Sequence, residues 1–293
     1  MSLHVLAAGP LTLVQDRGRP GLAHLGVPRA GALDAPAAAL ANRLVGNDAD
    51  AAVLEVVLGG LELYAEAACW VAATGAPAPL EIDGSARGHG RAERLAAGAT
   101  LRLGRPPTGV RTYLAVAGGI AVDPVLGSRS TDTLAWVGPP PVRPGVRLPL
   151  GRPHAVPRPL DTPPAYRPGP LRVTPGPRAD WFASDALDLL CGSTYVVEAD
   201  SNRVGLRLDG PAVTRIRSGE LPSEGMVLGA VQVPPSGRPV VFLADHPPTG
   251  GYPVLAVVHP EDLWRCAQLR PGERVRFSPA PPPDPAAAAA ARR

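Results

Sequence analysis

The chain has 293 residues, 45% of them apolar, which is enough to bury a sizeable core in one large domain or two of ordinary size. Its formal net charge is +3 and only 4% of its residues are aromatic, which argues against a nucleic-acid or base-stacking surface. Every positive side chain is arginine and lysine is absent, so the chain forms no side-chain Schiff base, has no P-loop lysine and cannot carry biotin on a lysine of its own.

Residues 5–14 read as two short strands broken at Gly9-Pro10. Residues 15–33 are rich in glycine and proline and read as loop. Asp34 is suited to cap a helix with Pro36 in its first turn. Ala37, Leu40, Ala41 and Leu44 then fall on one helical face, and Gly46-Asn47 ends it. From 53 to 116 the pattern predicts six short strands, over 53–58, 61–64, 70–73, 80–83, 101–103 and 111–116. Residues 118–138 are polar and glycine-rich. Residues 139–170 are so rich in proline that they read as an extended connector, partly polyproline II.

The second half reads as a strand at 171–174, a helix within 178–190, and strands at 194–199, 204–208, 226–233, 239–244 and 254–258. A helix over 260–269 and a strand at 274–277 follow. The segment leading into 101–103 echoes the one leading into 275–277, which supports two related barrels. The tail from 280 is low-complexity and reads as disordered.

Cys69, Cys191 and Cys266 are far apart and there is no C-x-x-C pair, which argues against zinc or any other metal and fits a reducing, cytoplasmic setting. No signal peptide and no membrane span is expected.

Three stretches concentrate polar side chains. In the first, Gln15 and Asp16 stand where a strand runs into a glycine loop, with Arg17 and Arg19 able to clamp a carboxylate or phosphate and His24 nearby. The same residues would serve as a barrel cap in which Asp16 pairs with an arginine. In the second, Ser128 and Arg129 belong to a run that suits an anion nest or a helix-capping cluster. In the third, Gln232, Asp245 and His246 fall near strand ends, and the loop Thr249-Gly250-Gly251-Tyr252 offers backbone N–H groups to an anion. It would equally serve as a hairpin and tight turn. Asn202 and Arg203 read alone as a turn before a strand. No P-loop, G-x-S-x-G or H-E-x-x-H motif is present.

Taken in order, VQDRGRPGLAHLGVPRAGALD, ANRLVGN, AAVLEVVLGG, LAVAGGI, LGSRSTD, SNRVGLRLDGP, SEGMVLGAVQVPPSGRPVVFLAD, TGGYP and AQLRPGERVRF resemble the biotin-dependent carboxyltransferase family, subdomains A and B, also called the allophanate hydrolase subunit 2 family. The resemblance spans roughly residues 5–278. It implies a mainly β protein of two cyclophilin-like β-barrels with a few short helices. The barrels are expected at 1–138 and 171–279, joined by the 139–170 connector and followed by the 280–293 tail.

The resemblance also implies a shared cleft lined by 15–24, Asp34, 42–47 with Asn42 and Asn47, 128–132, 202–203 and 245–252. In it Asp16 or Asp245 would handle protons and Arg17 and Arg19 would hold a substrate carboxylate, with Asp16 and Asp245 facing one cavity. Two departures stand out. Val137 to Leu148 replaces a glycine-rich G-R-x-L stretch, and Asp245-His246-Pro247-Pro248-Thr249-Gly250 replaces a family D-R-Q-T-T-G.

The implied activity is that of one component of an ATP-dependent 5-oxoprolinase acting on a small lactam. The expected partners are the other two kinds of 5-oxoprolinase component, a B-type protein related to the carboxyltransferase C/D family and an A-type protein, with ATP shared within the complex. The family leaves two alternatives. One is carboxyl transfer to urea or a related amide, with biotin carried on a separate protein. The other is a non-enzymatic Kip-type regulator of a kinase inhibitor.

Overall fold

The computed structural model describes residues 1–157 and 169–281. Residues 158–168 of the proline-rich connector and all but the first two residues of the expected disordered tail lie outside the described residues.

The N-terminal half folds as two sheets enclosing one apolar core. Strand β1 (Ser2–Ala8) leads through Gly9-Pro10 into β2 (Leu11–Gln15), and helix α1 (Ala35–Leu44) follows the 16–33 loop. Then come β3 (Val53–Val57), β4 (Leu61–Ala65), β5 (Cys69–Gly75) and β6 (Leu80–Ile82). They are followed by β7 (Ser85–Arg87), β8 (Ala92–Leu95), β9 (Thr100–Leu103) and β10 (Arg111–Val116). A last strand, β11 (Arg147–Pro149), comes from the proline-rich segment.

One sheet has the order β11-β1-β4-β9-β6-β7 and the other β2-β3-β10-β5-β8. Alternation places Leu3 and Val5 of β1 and Leu61 and Leu63 of β4 in the core, where they meet Leu54 and Val56 of β3 and Leu114 of β10. β10 is buried along its whole length because α1 packs over its other face.

The C-terminal half is a closed barrel. Its strands are β12 (Leu171–Pro175), β13 (Thr194–Val197), β14 (Gly205–Asp209), and, after a short β15 (Glu224–Gly225), β16 (Ala230–Gln232) and β17 (Val240–Phe242). β18 (Thr249–Gly250) pairs with β15 outside the barrel, and β19 (Val254–Val258) and β20 (Arg274–Pro279) complete it. The closed order is β12-β19-β16-β17-β14-β13-β20, which leaves no free edge. Helices α2 (Ala186–Gly192) and α3 (Leu263–Cys266) lie against it, and Leu190, Cys266 and Ala267 enter its core.

The connector differs from an extended spacer. Leu148 pairs with Leu3 across β1 and is buried with Val142 in the N-terminal core. Apolar residues at alternating spacing within the proline run are sufficient to add an edge strand, where proline is tolerated. β7 and β8 are also additions to the expected strands. They are short and charged, which hides them from an apolar pattern. Among the described residues no helix is long and apolar enough to cross a membrane, and no cluster of three His, Cys, Asp or Glu could hold a metal.

Candidate functional site

A cavity of about 560 Å³ opens on the N-terminal half. Four segments border it: the loop after β2 with Asp16, Arg17 and Gly18; the α1–β3 turn with Asn47, Asp48 and Asp50; the Gly118–Ala121 turn with the 127–129 loop; and the connector with Gly151, Arg152 and His154.

Asp16 organises this site. Its Oδ1 accepts from the Ser128 and Ser130 hydroxyls at 2.6 Å each and from the Gly18 amide at 2.8 Å. Its Oδ2 accepts from the Arg129 amide at 2.6 Å. Four donors on one carboxylate fold the 128–130 loop onto the end of β2. Gly18 is needed there, since with φ +77° a Cβ would stand 2.4 Å from the Arg29 carbonyl oxygen. Gln15 is fully buried and supports the loop from behind through Nε2 to the Thr131 carbonyl at 2.8 Å.

Arg17 is exposed at the cavity, but Arg19 is buried, its Nη2 donating to the Ser130 carbonyl at 2.5 Å. Burial lowers the Arg19 pKa, against the opposing pull of Asp16, Asp132 and Asp245. Arg19 therefore braces the loop and does not form one arm of a clamp. Arg129 borders the cavity, its Nε bound to the Val122 carbonyl at 2.7 Å.

Asn47 is fixed by Nδ2 to the Val116 carbonyl at 2.8 Å and by Oδ1 from the Gly118 amide at 2.7 Å. Asn42 accepts from Asn47 Nδ2 at 3.0 Å and donates to the Ala51 carbonyl at 2.8 Å, shaping the turn from beneath. Several backbone amides along this wall are committed. Gly119 donates to the Val116 carbonyl, Ile120 to Ala52, Ala121 to Pro149 and Gly151 to Gly119.

The other expected residues lie elsewhere. His24 is exposed in a 3-10 turn at Ala23–Leu25, its Nδ1 3.0 Å from the Gly21 carbonyl. Asp34 is buried as the α1 cap. Its Oδ1 accepts from the Ala37 amide at 3.0 Å and its Oδ2 from Gln268 Nε2 at 2.8 Å. Burial raises its pKa to about 6, the bonds from Gln268 and Ala37 holding the rise in check.

Asp245 does not border the cavity. It is fully buried, bound by Arg203 through Nε and Nη2 at 2.9 Å each. Arg203 Nη1 reaches Glu55 of β3 at 2.6 Å, and Arg111 stands 3.4 Å from the same carboxylate. Burial pushes Glu55 up, but Arg203, Arg111, the Tyr113 hydroxyl and the Leu33 amide together hold it below the usual carboxylate range. Asp245 Oδ2 also accepts the Thr133 hydroxyl at 2.7 Å and its amide at 2.8 Å. Asp16 and Asp245 therefore grip one loop at two points and do not face each other across a cavity. Fully buried and away from the cavity wall, the Asp245 carboxylate is out of reach for proton transfer to a ligand there.

The remaining C-terminal candidates build turns. Asn202 accepts the Val204 amide at 2.8 Å. Gln232 donates to the Tyr252 carbonyl at 3.1 Å. His246 stacks on Phe242 with ring centroids 5.8 Å apart and its Nδ1 lies 2.8 Å from the Pro247 carbonyl, and burial lowers its pKa. Thr249 and Gly250 form β18 against β15, and the Gly251 carbonyl, next to Tyr252, accepts the Leu221 amide at 2.9 Å.

Asp48, Asp50, Arg152 and His154 at the cavity escape sequence reasoning. The first two read as an ordinary helix-to-strand turn and the last two as part of a spacer. The glycine pair Gly118-Gly119 is the signal that could have drawn attention to this wall.

Comparison with known proteins adds to this picture. The chain is 39% identical to the C subunit of the Escherichia coli 5-oxoprolinase over 94% of its own length and 90% of that protein's. It is 32% identical to the urea amidolyase of Saccharomyces cerevisiae over 95% of its length, but spans only 16% of that enzyme. Among solved structures it superposes on TTHA0988 with a TM-score of 0.86 at 42% identity, covering 94% of this chain and 55% of that one. On the urea amidolyase of K. lactis the TM-score is 0.87 at 29% identity, covering 95% of this chain and 18% of that one. The model of the carboxyltransferase domain, subdomains A and B, matches residues 25–279, and the chain belongs to that family.

Proposed function

We propose that this chain is one subunit of an ATP-dependent 5-oxoprolinase, which opens the lactam of 5-oxoproline with water to give glutamate while ATP becomes ADP and phosphate. The observation that carries this reading is the reciprocal match to the Escherichia coli 5-oxoprolinase component, which is nearly complete for both chains. Companion proteins of the A and B types complete the enzyme in the cytoplasm.

This chain's part is to hold the ring and its carboxylate in the cavity, with Arg17 as a cationic contact and Asp16 keeping the 128–130 loop in place. The cavity does not favour a triphosphate, because Asp16, Asp48 and Asp50 offset its three arginines. The nucleotide is assigned to the companions.

The test is reconstitution of the three-protein complex and measurement of glutamate and ADP formed from 5-oxoproline and ATP. Turnover that needs all three chains supports the reading; a stable, folded complex without turnover overturns it.

A second reading is carboxyl transfer to urea or a related amide, favoured by 32% identity to the Saccharomyces cerevisiae urea amidolyase across nearly the whole chain. Biotin would then arrive on another protein, since this chain has no lysine. Carboxylated carrier incubated with urea and the complex decides it by whether carboxylated urea forms. A complex that binds tightly and fails both assays identifies a regulator of the Kip type.

A further inference from the structure

We infer that Arg152, carried by the proline-rich connector, is a carboxylate anchor of the cavity and sets its preference for small carboxylates over polyphosphates. The inference rests on the cavity being a ligand site. The amides of Gly118, Gly119, Ile120, Ala121 and Gly151 all donate within the protein, so this glycine-rich stretch is no backbone nest. Along it, charge recognition falls to side chains.

Of the three guanidiniums at the cavity, Arg129 is tethered through Nε to Val122. Arg17 and Arg152 make no ion pair and no side-chain hydrogen bond among the described residues, so neither guanidinium is committed to any of them.

Arg152 is exposed, yet its backbone is held on both sides. Upstream, Ala121 donates to Pro149 at 2.8 Å, Leu150 to Met1 at 3.0 Å and Gly151 to Gly119 at 3.1 Å. The Gly118 and Gly151 backbones touch so closely that a Cβ on either would lie 2.2 Å from the other's carbonyl oxygen. Downstream, Ala155 packs against Gly46, where a Cβ would meet its carbonyl oxygen at 3.1 Å. In an extended segment residues two apart share a side, and both Arg152 and His154 border the cavity.

Against these arginines stand Asp16, Asp48 and Asp50. A wall balanced in charge suits a ligand with one carboxylate, or an amino acid zwitterion, and offers a chain of phosphates no net attraction. Arg152 is thus a second cationic arm beside Arg17, in the place sequence reasoning gave to Arg19.

The experiment is calorimetric titration of the full chain with L-5-oxoproline, L-glutamate, the carboxylate-free lactam 2-pyrrolidinone, and ATP. Wild type is expected to bind at least one of the two carboxylates and neither 2-pyrrolidinone nor ATP. Arg152→Ala weakens that binding about tenfold or more, Arg152→Lys restores part of it, and Arg143→Ala, an exposed arginine outside the cavity wall, leaves it unchanged. Unchanged melting temperatures in all variants confirm that folding is not the cause. Binding that survives Arg152→Ala, tighter binding of ATP than of either carboxylate, or no carboxylate binding by wild type overturns the inference. Failure of the proposed function is separable: Arg152-dependent carboxylate binding in a chain whose complex consumes no 5-oxoproline keeps the anchor and discards the enzyme. Turnover with a KM indifferent to Arg152→Ala does the reverse.

Discussion

Asp16 shows how far residue types alone can be read. Its position at the end of a strand and the start of a glycine loop marks it as a site residue, and it does border the cavity. Its partners are not legible, because Ser128 and Ser130 lie more than a hundred positions away. With four donors it acts as a fastener for the loop. Asp16→Asn turns one accepting atom into a donor facing a donor, which costs about 1–3 kcal/mol. The expected result is a lower melting temperature and, in the assembled complex, a KM raised more than kcat is lowered. A proton carrier would give the opposite split, with kcat abolished and KM and stability unchanged. Steady-state kinetics beside thermal denaturation distinguishes the two. Arg19 is the converse case. Its spacing from Arg17 suggests a clamp, and only the tertiary fold shows it turned inward beneath the Ser130 carbonyl.

At the scale of elements, strands bounded by glycine and proline are legible, since apolar alternation survives in β4, β9 and β20. The echo before 101–103 and 275–277 does precede a sheet-pairing strand in each half, β9 beside β4 and β20 beside β13. The connector is not, because proline content masks three apolar or small residues that matter: Val142, Leu148 and Gly151. The first two are buried in the core, and the third lets the chain cross Gly118. Gly151 has an ordinary φ, so Gly151→Ala isolates that contact from backbone strain. Its methyl would meet the Gly118 carbonyl oxygen at 2.2 Å. Pushing the connector off the wall is expected to cost about 1–3 kcal/mol. It should also weaken cavity ligands without touching any side chain that contacts them. Chemical denaturation and the same titrations check this, and a variant with wild-type stability and affinity would show that the crossing does not shape the site.

For the whole molecule, the contact between halves includes a buried polar network, and no local pattern announces it. Glu55 sits in an apolar strand, and Arg203 reads as a turn residue, yet Arg203 joins Glu55, Asp245 and the Gly31 carbonyl across the two units. Removing it leaves buried carboxylates without their main counter-charge, so Arg203→Ala is expected to lose about 3–5 kcal/mol in equilibrium unfolding.

Asp34 lies at the same contact, and its sign is different. The residue is 4% exposed and burial raises its pKa to about 6 against an ordinary 3.8. As pH rises from 4 towards 6 the unfolded chain releases this proton before the folded one does. The stability Asp34 contributes is fully present below its ordinary value and is lost as pH rises through 6, by a total of about 3 kcal/mol at most. Glu55, held low, works in the other direction and at lower pH.

The comparison that isolates Asp34 is the difference in unfolding free energy between wild type and Asp34→Asn. Asparagine sets a donor against either Gln268 Nε2 or the Ala37 amide, whichever way it is turned, so the variant is the less stable at pH 4. The gap should narrow by pH 7.5, where wild type bears a buried charge that the variant does not. Urea titrations at both values measure it. A gap of equal size at pH 4 and pH 7.5 would mean that Asp34 titrates alike in the folded and unfolded chains and that the contact between the halves is indifferent to its charge.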